Sequence, residues 1–565
     1  MPVSSKGTGG LMIRFVLALL IAVPGAAAAQ PDQALATANV VPPVRDRAYA
    51  ESDTLRVSGL RVEGVGEHPQ ADITPATMQA LADRTFAALV DDAADARVSL
   101  DGLQSVADAI TAAYREAGFM VSTAYVPAQD VGEDRVVRIQ VLEGRLGRVL
   151  VQGAERYREA AIARPLQGLR GSTLHAGELD SALLYARDLP GVSVSSVLQP
   201  GENTGETDLV MVAREADRPF VVDVGLNNHG TDLTGRYRAS LGVTWNSPLG
   251  LGDVFSANYV HAFSPAQSWM GALSYSVPLG LAPGLSAVVG ASRSELEVGS
   301  GPFAALEIKG PTTLAYAGAD WKFINRETLQ MQASMRYIRE RSRLDALGFQ
   351  LSDQEFDVAE AGFTMRRIDT RLRGVDLVQA SVRMALDDRS VDPDLTTPMR
   401  ESDFTVLRAA YTRMQYLTRS QRMLLKLSGQ YSDDVLVPME QFSVGGPNSA
   451  RAFAVSEALG DSGWLASLEY HVDAPGFGDS VSPFGGRPWR EVLQFELFAD
   501  HGRVSGASGS LSPSASYTGV GAGLAFRLPT FHGLQFRLSV AAPVGGEDPA
   551  DDDDYRIWNS FGKTF

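Results

Sequence analysis

Much of the chain after residue 219 alternates between apolar and polar residues, as strands with one apolar face do. Within 423–431, Met423 and Leu425 fall on one face, and Lys426 falls on the other. Segments 464–472, 493–500 and 534–540 alternate in the same way. Clusters of Gly, Pro, Asp and Ser separate these segments, so the pattern predicts about 16 strands over 217–565.

A soluble antiparallel sandwich would also have one apolar and one polar face. Three features favour a transmembrane β-barrel instead. The strand number is even, the strands have the length of tilted spanning strands, and charged residues stand in mid-strand on the polar face. The last strand-like segment, 556–565, stops on the aromatic Phe565. We therefore predict a membrane β-barrel of about 16 antiparallel strands.

Residues 54–216 show helical periodicity between short strands. The first half predicts a strand over 55–65, helices over 74–89 and 101–117, and strands over 121–128 and 135–144. The second half predicts a strand over 146–153, helices over 155–167 and 178–188, and strands over 192–199 and 207–215. Thr74 and Ser99 stand where helix N-caps are expected. This repeat predicts two small α+β modules, 54–144 and 145–216.

The N-terminus has the features of a secretory signal peptide. Lys6 and Arg14 precede an apolar run over 15–23, which is followed by small residues. A membrane anchor, the alternative, needs roughly 20 apolar residues. We predict a signal peptide over 1–29 and a linker over 30–53.

The composition excludes several classes of function. A net charge of −17 provides no basic footprint, so a nucleic-acid partner is not expected. The chain has no cysteine, which excludes disulfides, thiolate metal sites and a cysteine nucleophile. Its seven histidines include no pair at metal-ligand spacing, so neither a zinc enzyme nor a metal site is predicted. Neither covalent chemistry nor a cofactor is indicated.

The glycine-rich turn VGGPNSARAF contains Gly445, Gly446, Arg451 and Phe453. Turns with glycines and a basic residue often bind phosphate. This turn lacks the spacing of a nucleotide-binding loop and has no helix after it. Arg451 therefore needs another explanation.

Two other segments have both a structural and a chemical interpretation. The sequence GDSG at 460–463 is similar to the nucleophile segment of trypsin-like proteases, but no histidine motif accompanies it, so a turn is predicted. The acidic run 547–554 could hold a divalent cation, because oxygen ligands suit hard cations. We interpret it as a solvated extracellular loop.

With these residues in view, the chain resembles the outer-membrane transporters of two-partner secretion, of the hemolysin secretion/activation type. Arg451-Ala452-Phe453 matches the tip of a loop that folds back into the barrel in that family, at about 438–463 here. Phe498-Ala499-Asp500 matches a motif on the barrel wall. The family has glycine where this chain has Ala452, and alanine would be strained there if φ were positive.

The resemblance implies a non-enzymatic pore in the outer membrane of a Gram-negative bacterium. Two periplasmic POTRA modules would precede a 16-stranded barrel, with the inward loop joining strands 11 and 12. An unfolded exported partner, an adhesin, cytolysin or toxin, would add a strand to a module and then cross the barrel. Outer-membrane lipid and the barrel-assembly machinery would be further partners, with Phe565 as assembly signal. An assembly factor and a porin-like channel stay open as alternatives.

Alternation places Phe498 and Asp500 in the lumen. We expect Arg451 to form a buried ion pair with Asp500, because guanidinium can bind a carboxylate through two parallel hydrogen bonds. A solvated loop arginine is the alternative. Other predicted lumen residues, which would shape conductance or keep the interior wet, are Glu469, Glu496, Lys426 and Arg537.

Overall fold

The computed structural model describes residues 54–90, 97–265, 267–301, 304–390, 403–512, 514–528 and 533–565. The predicted signal peptide and linker lie outside these residues. The described chain forms two compact units, one ending at Asp217 and the other beginning at Arg218. In the described ranges, no helix is both long and apolar enough to cross a membrane.

The first module is built from five short strands and two helices. They are β1 (Thr54–Arg56), β2 (Gly59–Glu63), α1 (Pro75–Ala87), β3 (Arg97–Ser99), α2 (Leu100–Glu116), β4 (Thr123–Tyr125) and β5 (Val136–Leu142). Strand order is β2-β5-β4, with β2 parallel to β5. The helices pack on this sheet around Ile110 and Ile139. Thr74 and Ser99 cap α1 and α2 through their side chains, as predicted.

The strand predicted over 55–65 is split at Ser58, where the chain bends. As a result β1 pairs with β3, and only β2 joins the three-stranded sheet.

The second module repeats the plan with three longer strands. Its elements are β6 (Arg145–Gln152), α3 (Glu159–Ala163), a 3-10 turn (Arg164–Leu169), α4 (Ala176–Arg187), β7 (Val192–Pro200) and β8 (Glu206–Glu215). Strand order is β6-β8-β7, with β6 parallel to β8 and β7 antiparallel to it. The helix predicted over 155–167 is shorter, because Pro165 lacks the N–H that would continue α3.

The second unit is a closed barrel with a loop inside it. Its elements in chain order are β9 (Phe220–Asn227), β10 (Tyr237–Asn246), β11 (Val254–Phe263), β12 (Trp269–Pro278), β13 (Leu285–Glu297), β14 (Lys309–Arg326), β15 (Leu329–Ala346), β16 (Phe349–Asp369), β17 (Gly374–Asp388), β18 (Thr405–Tyr416), β19 (Gln421–Tyr431), β20 (Phe442–Val444), β21 (Ala458–Gly460), β22 (Ser462–Asp473), α5 (Trp489–Val492), β23 (Leu493–Ser505), β24 (Ala515–Leu528), β25 (Leu534–Gly546) and β26 (Arg556–Thr564).

Sixteen of these strands, all except β20 and β21, form the barrel wall, which confirms the predicted fold class. Every pairing around the wall is antiparallel, and β26 pairs with β9 to close it. The main-chain N–H of Phe565 extends this seam by donating to Val222 at 2.8 Å. Apolar side chains such as Leu273, Met335 and Leu497 are exposed on the outer face.

Candidate functional site

Residues 432–461, the inner loop, connect β19 and β22, which are the eleventh and twelfth wall strands. Its strands β20 and β21 pair as an antiparallel ribbon. Beyond the ribbon, Phe453 is fully buried and its ring lies 4.9 Å from that of Tyr517 on β24. The loop thus forms a core with the inner face of the wall. It begins earlier than the predicted boundary of about 438.

The tip of the inner loop depends on two glycines. Gly445 and Gly446 have φ values of 106° and 105°, a region that favours glycine. Ala452 is not among the residues with positive φ, so the strain that alanine would suffer there does not arise. Its methyl group instead faces Gly519 on β24, where an added Cβ would lie 2.5 Å from that methyl carbon.

Arg451 makes a dense set of polar contacts at the tip. Its Nε and Nη2 donate to the two carboxylate oxygens of Asp500, both at 2.8 Å. Nη2 also donates to Ser467 Oγ at 3.1 Å, and Nη1 lies 3.1 Å from Glu469 Oε1. The guanidinium carbon lies 3.5 Å from the ring centroid of Phe498, which completes a cation–π contact.

This cluster excludes water almost completely. Arg451 is 7% exposed and Asp500 1% exposed. Removing one partner of such a buried pair leaves the other charge without compensation, at a cost of about 3–5 kcal/mol. The ion pair is therefore a strong constraint on where the loop can lie, while replacement of both partners would cost less.

The predicted lumen residues are distributed unevenly around this cluster. Lys426 Nζ donates to Glu469 Oε1 at 2.8 Å, so both join the Arg451 cluster. Glu496 lies on β23, where it is opposite His471 in the strand register. Arg537 stands apart, and within the described residues it makes no ion pair.

Trp558 is a contact residue that sequence reasoning missed. Its indole N–H donates to the main-chain carbonyl of Arg451 at 2.7 Å, and the side chain is 5% exposed. The inward face of β26 offered a signal, because Trp558 alternates with the outward-facing Ile557. Nothing in the sequence pairs this indole with a particular carbonyl.

The Arg451–Asp500 ion pair anchors the tip of the inner loop, and a second anchor holds its base. Glu440 is 2% exposed and accepts hydrogen bonds from Arg383 at 2.5 Å and Arg408 at 2.8 Å, which lie on β17 and β18. Next to it, Leu436 and Val437 are fully buried in a cluster with residues of the wall. The two anchors use different strands of the wall, so the loop is held at both its base and its tip.

The GDSG segment has a structural role, but it is not the predicted turn: Gly460 ends β21, Ser462 begins β22, and only Asp461 lies between the two strands. Asp461 is fully buried and its carboxylate accepts from the N–H groups of Leu436 and Ala507 and from Gln441. It therefore ties the two ends of the inner loop to the connection after β23.

The acidic run 547–554 makes both local and long-range contacts. Asp551 and Asp553 pair with Arg556 at the start of β26. The Ala550 N–H donates to Glu457 of the inner loop at 2.6 Å. The run therefore lies against the inner loop.

In the module unit, Glu143 joins the two modules through hydrogen bonds. It accepts from Gly66 N–H at 2.8 Å, the Tyr114 hydroxyl at 2.9 Å and the Thr173 hydroxyl at 3.1 Å. Burial alone would raise the pKa of Glu143, but these donors and His68 hold the pKa below its ordinary value. The carboxylate form thus stabilises the junction.

Comparison with known proteins agrees with this architecture. Residues 205–526 match the family Haemolysin secretion/activation protein ShlB/FhaC/HecB, and residues 55–144 match its ShlB-type POTRA domain. The chain is 25% identical over 494 residues to the Heme/hemopexin transporter protein HuxB of Haemophilus influenzae, covering 83% of this chain and 82% of HuxB. It is 23% identical over 375 residues to the Hemolysin transporter protein ShlB of Serratia marcescens, covering 65% of each.

A solved structure shows the same fold. CdiB from Escherichia coli superimposes with a TM-score of 0.69 over 92% of each chain, at 19% identity. The family match extends over more than half of this chain, from just before β8 to within β24. The chain therefore belongs to the haemolysin secretion/activation protein family, the outer-membrane β-barrel transporters of two-partner secretion, which act in protein transport and not as enzymes.

Proposed function

We propose that the inner loop closes the pore of this transporter and that the Arg451–Asp500 ion pair holds it closed. The observation that carries the proposal is the bidentate, nearly water-free contact between the loop tip and the wall. An exported polypeptide would cross the lumen when the loop leaves this position. Phe453, Gly445 and Gly446 give the tip its shape, and Phe498 and Asp500 receive it.

The anchors are suited to reversible closure. Both are made of charged groups, so a loop that leaves the wall exposes side chains that water can solvate. Arg383 and Arg408 would be solvated in the same way once Glu440 departs. No nucleotide is available in the periplasm, so folding of the partner outside the cell would supply the direction of transport.

The partner would be recognised by strand addition in the module unit. The outer edge of β2 is already occupied, because the Gln79 side chain accepts from Val62 N–H and donates to Leu60 C=O, both at 2.9 Å. The start of the outer edge of β6 is also occupied, since Leu146 exchanges hydrogen bonds with Gly171 and Ser172.

Strand β7 is different. It is an edge strand of nine residues, and in the described parts of the chain no hydrogen bond reaches its outer edge. An extended segment of the exported partner would therefore pair with β7. The partner is a large secreted adhesin, cytolysin or toxin that stays unfolded until it leaves the cell.

The remaining partners follow from the same architecture. Both modules, including 145–216 as a second POTRA domain, would lie in the periplasm after removal of the signal peptide. The exposed apolar residues of the outer face would contact outer-membrane lipid. The barrel-assembly machinery would insert the chain, with Phe565 at the β26–β9 seam as its signal.

Deleting the gene and comparing secreted and surface proteins tests the transport proposal. At least one large exported protein should disappear, and the wild-type gene supplied in trans should restore it. A variant with Ser196→Pro removes one backbone donor from the outer edge of β7, because the odd-numbered residues of this strand pair with β8, and it should reduce secretion. Ser105→Ala on the exposed face of α2 is the control. An unchanged set of exported proteins after deletion would contradict the proposal.

A further inference from the structure

Three side chains that can bind metal converge on the lumen wall beside the Arg451 cluster. Glu469 and His471 lie on β22, and Glu496 lies on β23. One ligand atom from each lies within 4.8 Å of the other two. All three residues are more than nine-tenths buried.

Glu496 lacks a direct polar contact. It is 6% exposed, and in the described chain it forms neither a hydrogen bond nor a close ion pair, although its charge interacts with that of Arg451. A buried carboxylate without a hydrogen bond is costly, so this position favours a cation. The carboxylate is directed at the two other ligand groups, His471 and Glu469.

His471 is oriented as a metal ligand would be. Gln494 donates from Nε2 to Asp473 at 2.8 Å, which leaves its Oε1 as the acceptor that lies 3.1 Å from His471 Nδ1. Nδ1 therefore donates to Gln494, and Nε2 is left to donate to Glu469 Oε2 at 2.8 Å, where a metal ion would take the place of the Nε2 proton. A fixed tautomer of this kind is the usual support of a metal-bound histidine.

We propose that Glu469, His471 and Glu496 bind one divalent cation of the Zn²⁺ class. A mixed set of imidazole and carboxylate ligands suits this ion, which takes ligand atoms at about 2.0–2.2 Å. Ligand atoms around such a tetrahedral ion are about 3.3 Å apart, so small side-chain rotations bring this cluster into range. Histidine-pair spacing could not reveal the site, because two ligands are glutamates and the set spans two strands.

The proposed site shares Glu469 with the loop anchor. Glu469 Oε1 receives Lys426 Nζ and Arg451 Nη1, while Oε2 faces His471. Lys426 is half-exposed and competes with a metal ion for the same carboxylate. Removing its charge should therefore tighten metal binding.

Titration of the full-length protein tests the site. The chain is purified in detergent without a histidine tag, stripped with EDTA and titrated with Co²⁺ or Zn²⁺. We expect one ion per chain, a tetrahedral Co²⁺ absorption band, and displacement of Co²⁺ by Zn²⁺. His471→Gln and Glu496→Gln should abolish the band, and Gln494→Leu should weaken binding by about 10–100-fold.

Two variants separate binding from folding. Lys426→Met should bind the ion more tightly than the wild type, a gain that misfolding cannot produce. His501→Gln should leave binding unchanged, because that ring packs against Trp464, away from the cluster. Heat-modifiable migration in gels checks that each barrel has assembled. A wild-type chain that binds neither ion, or equal binding by wild type and His471→Gln, would overturn the proposal and leave His471 as a hydrogen-bond partner of Glu469.

Discussion

The indole N–H of Trp558 donates to the main-chain carbonyl of Arg451 at 2.7 Å, so the last barrel strand holds the same residue whose side chain binds Asp500 on β23. The tip is thus fixed by its backbone on one strand and by its side chain on another. Arg451 is therefore restrained by two independent contacts.

Trp558→Phe should loosen the tip without emptying its space. The Arg451 carbonyl would stay buried without a donor, which costs about 1–3 kcal/mol. Because the hydrogen bond exists only in the closed state, its loss destabilises that state, and the ratio of open to closed channels should rise by about 5–150-fold. Single-channel recordings in planar bilayers measure this ratio. Trp464→Phe on the exposed outer face is the control, and an equal effect of both variants would contradict the assignment.

Arg451→Ala and Asp500→Asn should each impair secretion while the barrel still assembles, because the first leaves the buried Asp500 without its arginine and the second removes the bidentate contact that positions the loop tip. In a double-mutant cycle, the two losses should be strongly non-additive. Arg451→Lys should not rescue, since an ammonium cannot form the two parallel bonds. Arg537→Ala, another lumen arginine, is the matched control. Normal secretion by both single variants would leave Arg451 as an ordinary loop residue.

Gly519→Val should displace the tip by overpacking. Its Cβ would meet the Ala452 methyl carbon, and such crowding costs about 1–3 kcal/mol. Ala452→Gly in the same chain should restore closure, measured as the channel's closed fraction. Failure of this second change to rescue would mean that Gly519 acts through something other than Ala452.

Glu440→Gln should weaken the second anchor, because Arg383 and Arg408 lose a charged acceptor. Hydrogen bonds to charged groups contribute about 1.5–3 kcal/mol each, so the open fraction of the channel should increase. Combined with Asp500→Asn, the free-energy changes should add, since the anchors share no partner. Clear non-additivity would show that the loop is released as one unit from both anchors.

The module unit should lose stability in acid through Glu143. Its pKa is lowered on folding, so its contribution is present above the unfolded pKa near 4.5 and is lost as pH falls below that value. Urea unfolding of residues 54–217 at a series of pH values measures this. Glu143→Gln should flatten the dependence in this range, whereas Glu133→Gln, on an exposed loop, should not. An unchanged slope in Glu143→Gln would contradict the role of this carboxylate.

Sequence patterns predicted the local structure well where the signal lies in residues close together in the chain. Alternation in 423–431 and 493–500 gave the faces of β19 and β23, since side chains of a strand point to opposite sides. Thr74 and Ser99 marked helix starts because their side chains replace missing backbone partners. Pro165 acted in the same local way, yet its effect on α3 was not foreseen.

Contacts that depend on closure of the barrel could not be predicted from the sequence. Trp558 and Arg451 are more than a hundred residues apart, and Glu440 meets arginines from β17 and β18 because the barrel places those strands beside β19, from which the loop begins. The methyl group of Ala452 fits because residue 519, which the barrel wall places next to it, is glycine. The family motif pointed to Arg451 and Asp500, but no local pattern identifies their supporting residues.

A disulfide between the inner loop and the wall tests the central claim most directly. A Cβ on Gly502 of β23 would lie 2.7 Å from Val444 Cγ1 of β20, within reach of a disulfide, and the chain has no cysteine of its own. With Val444→Cys and Gly502→Cys together, secretion should stop when the bond forms and resume after reduction, while each single variant secretes in both conditions. Undiminished secretion by the fully oxidised double variant would contradict the account.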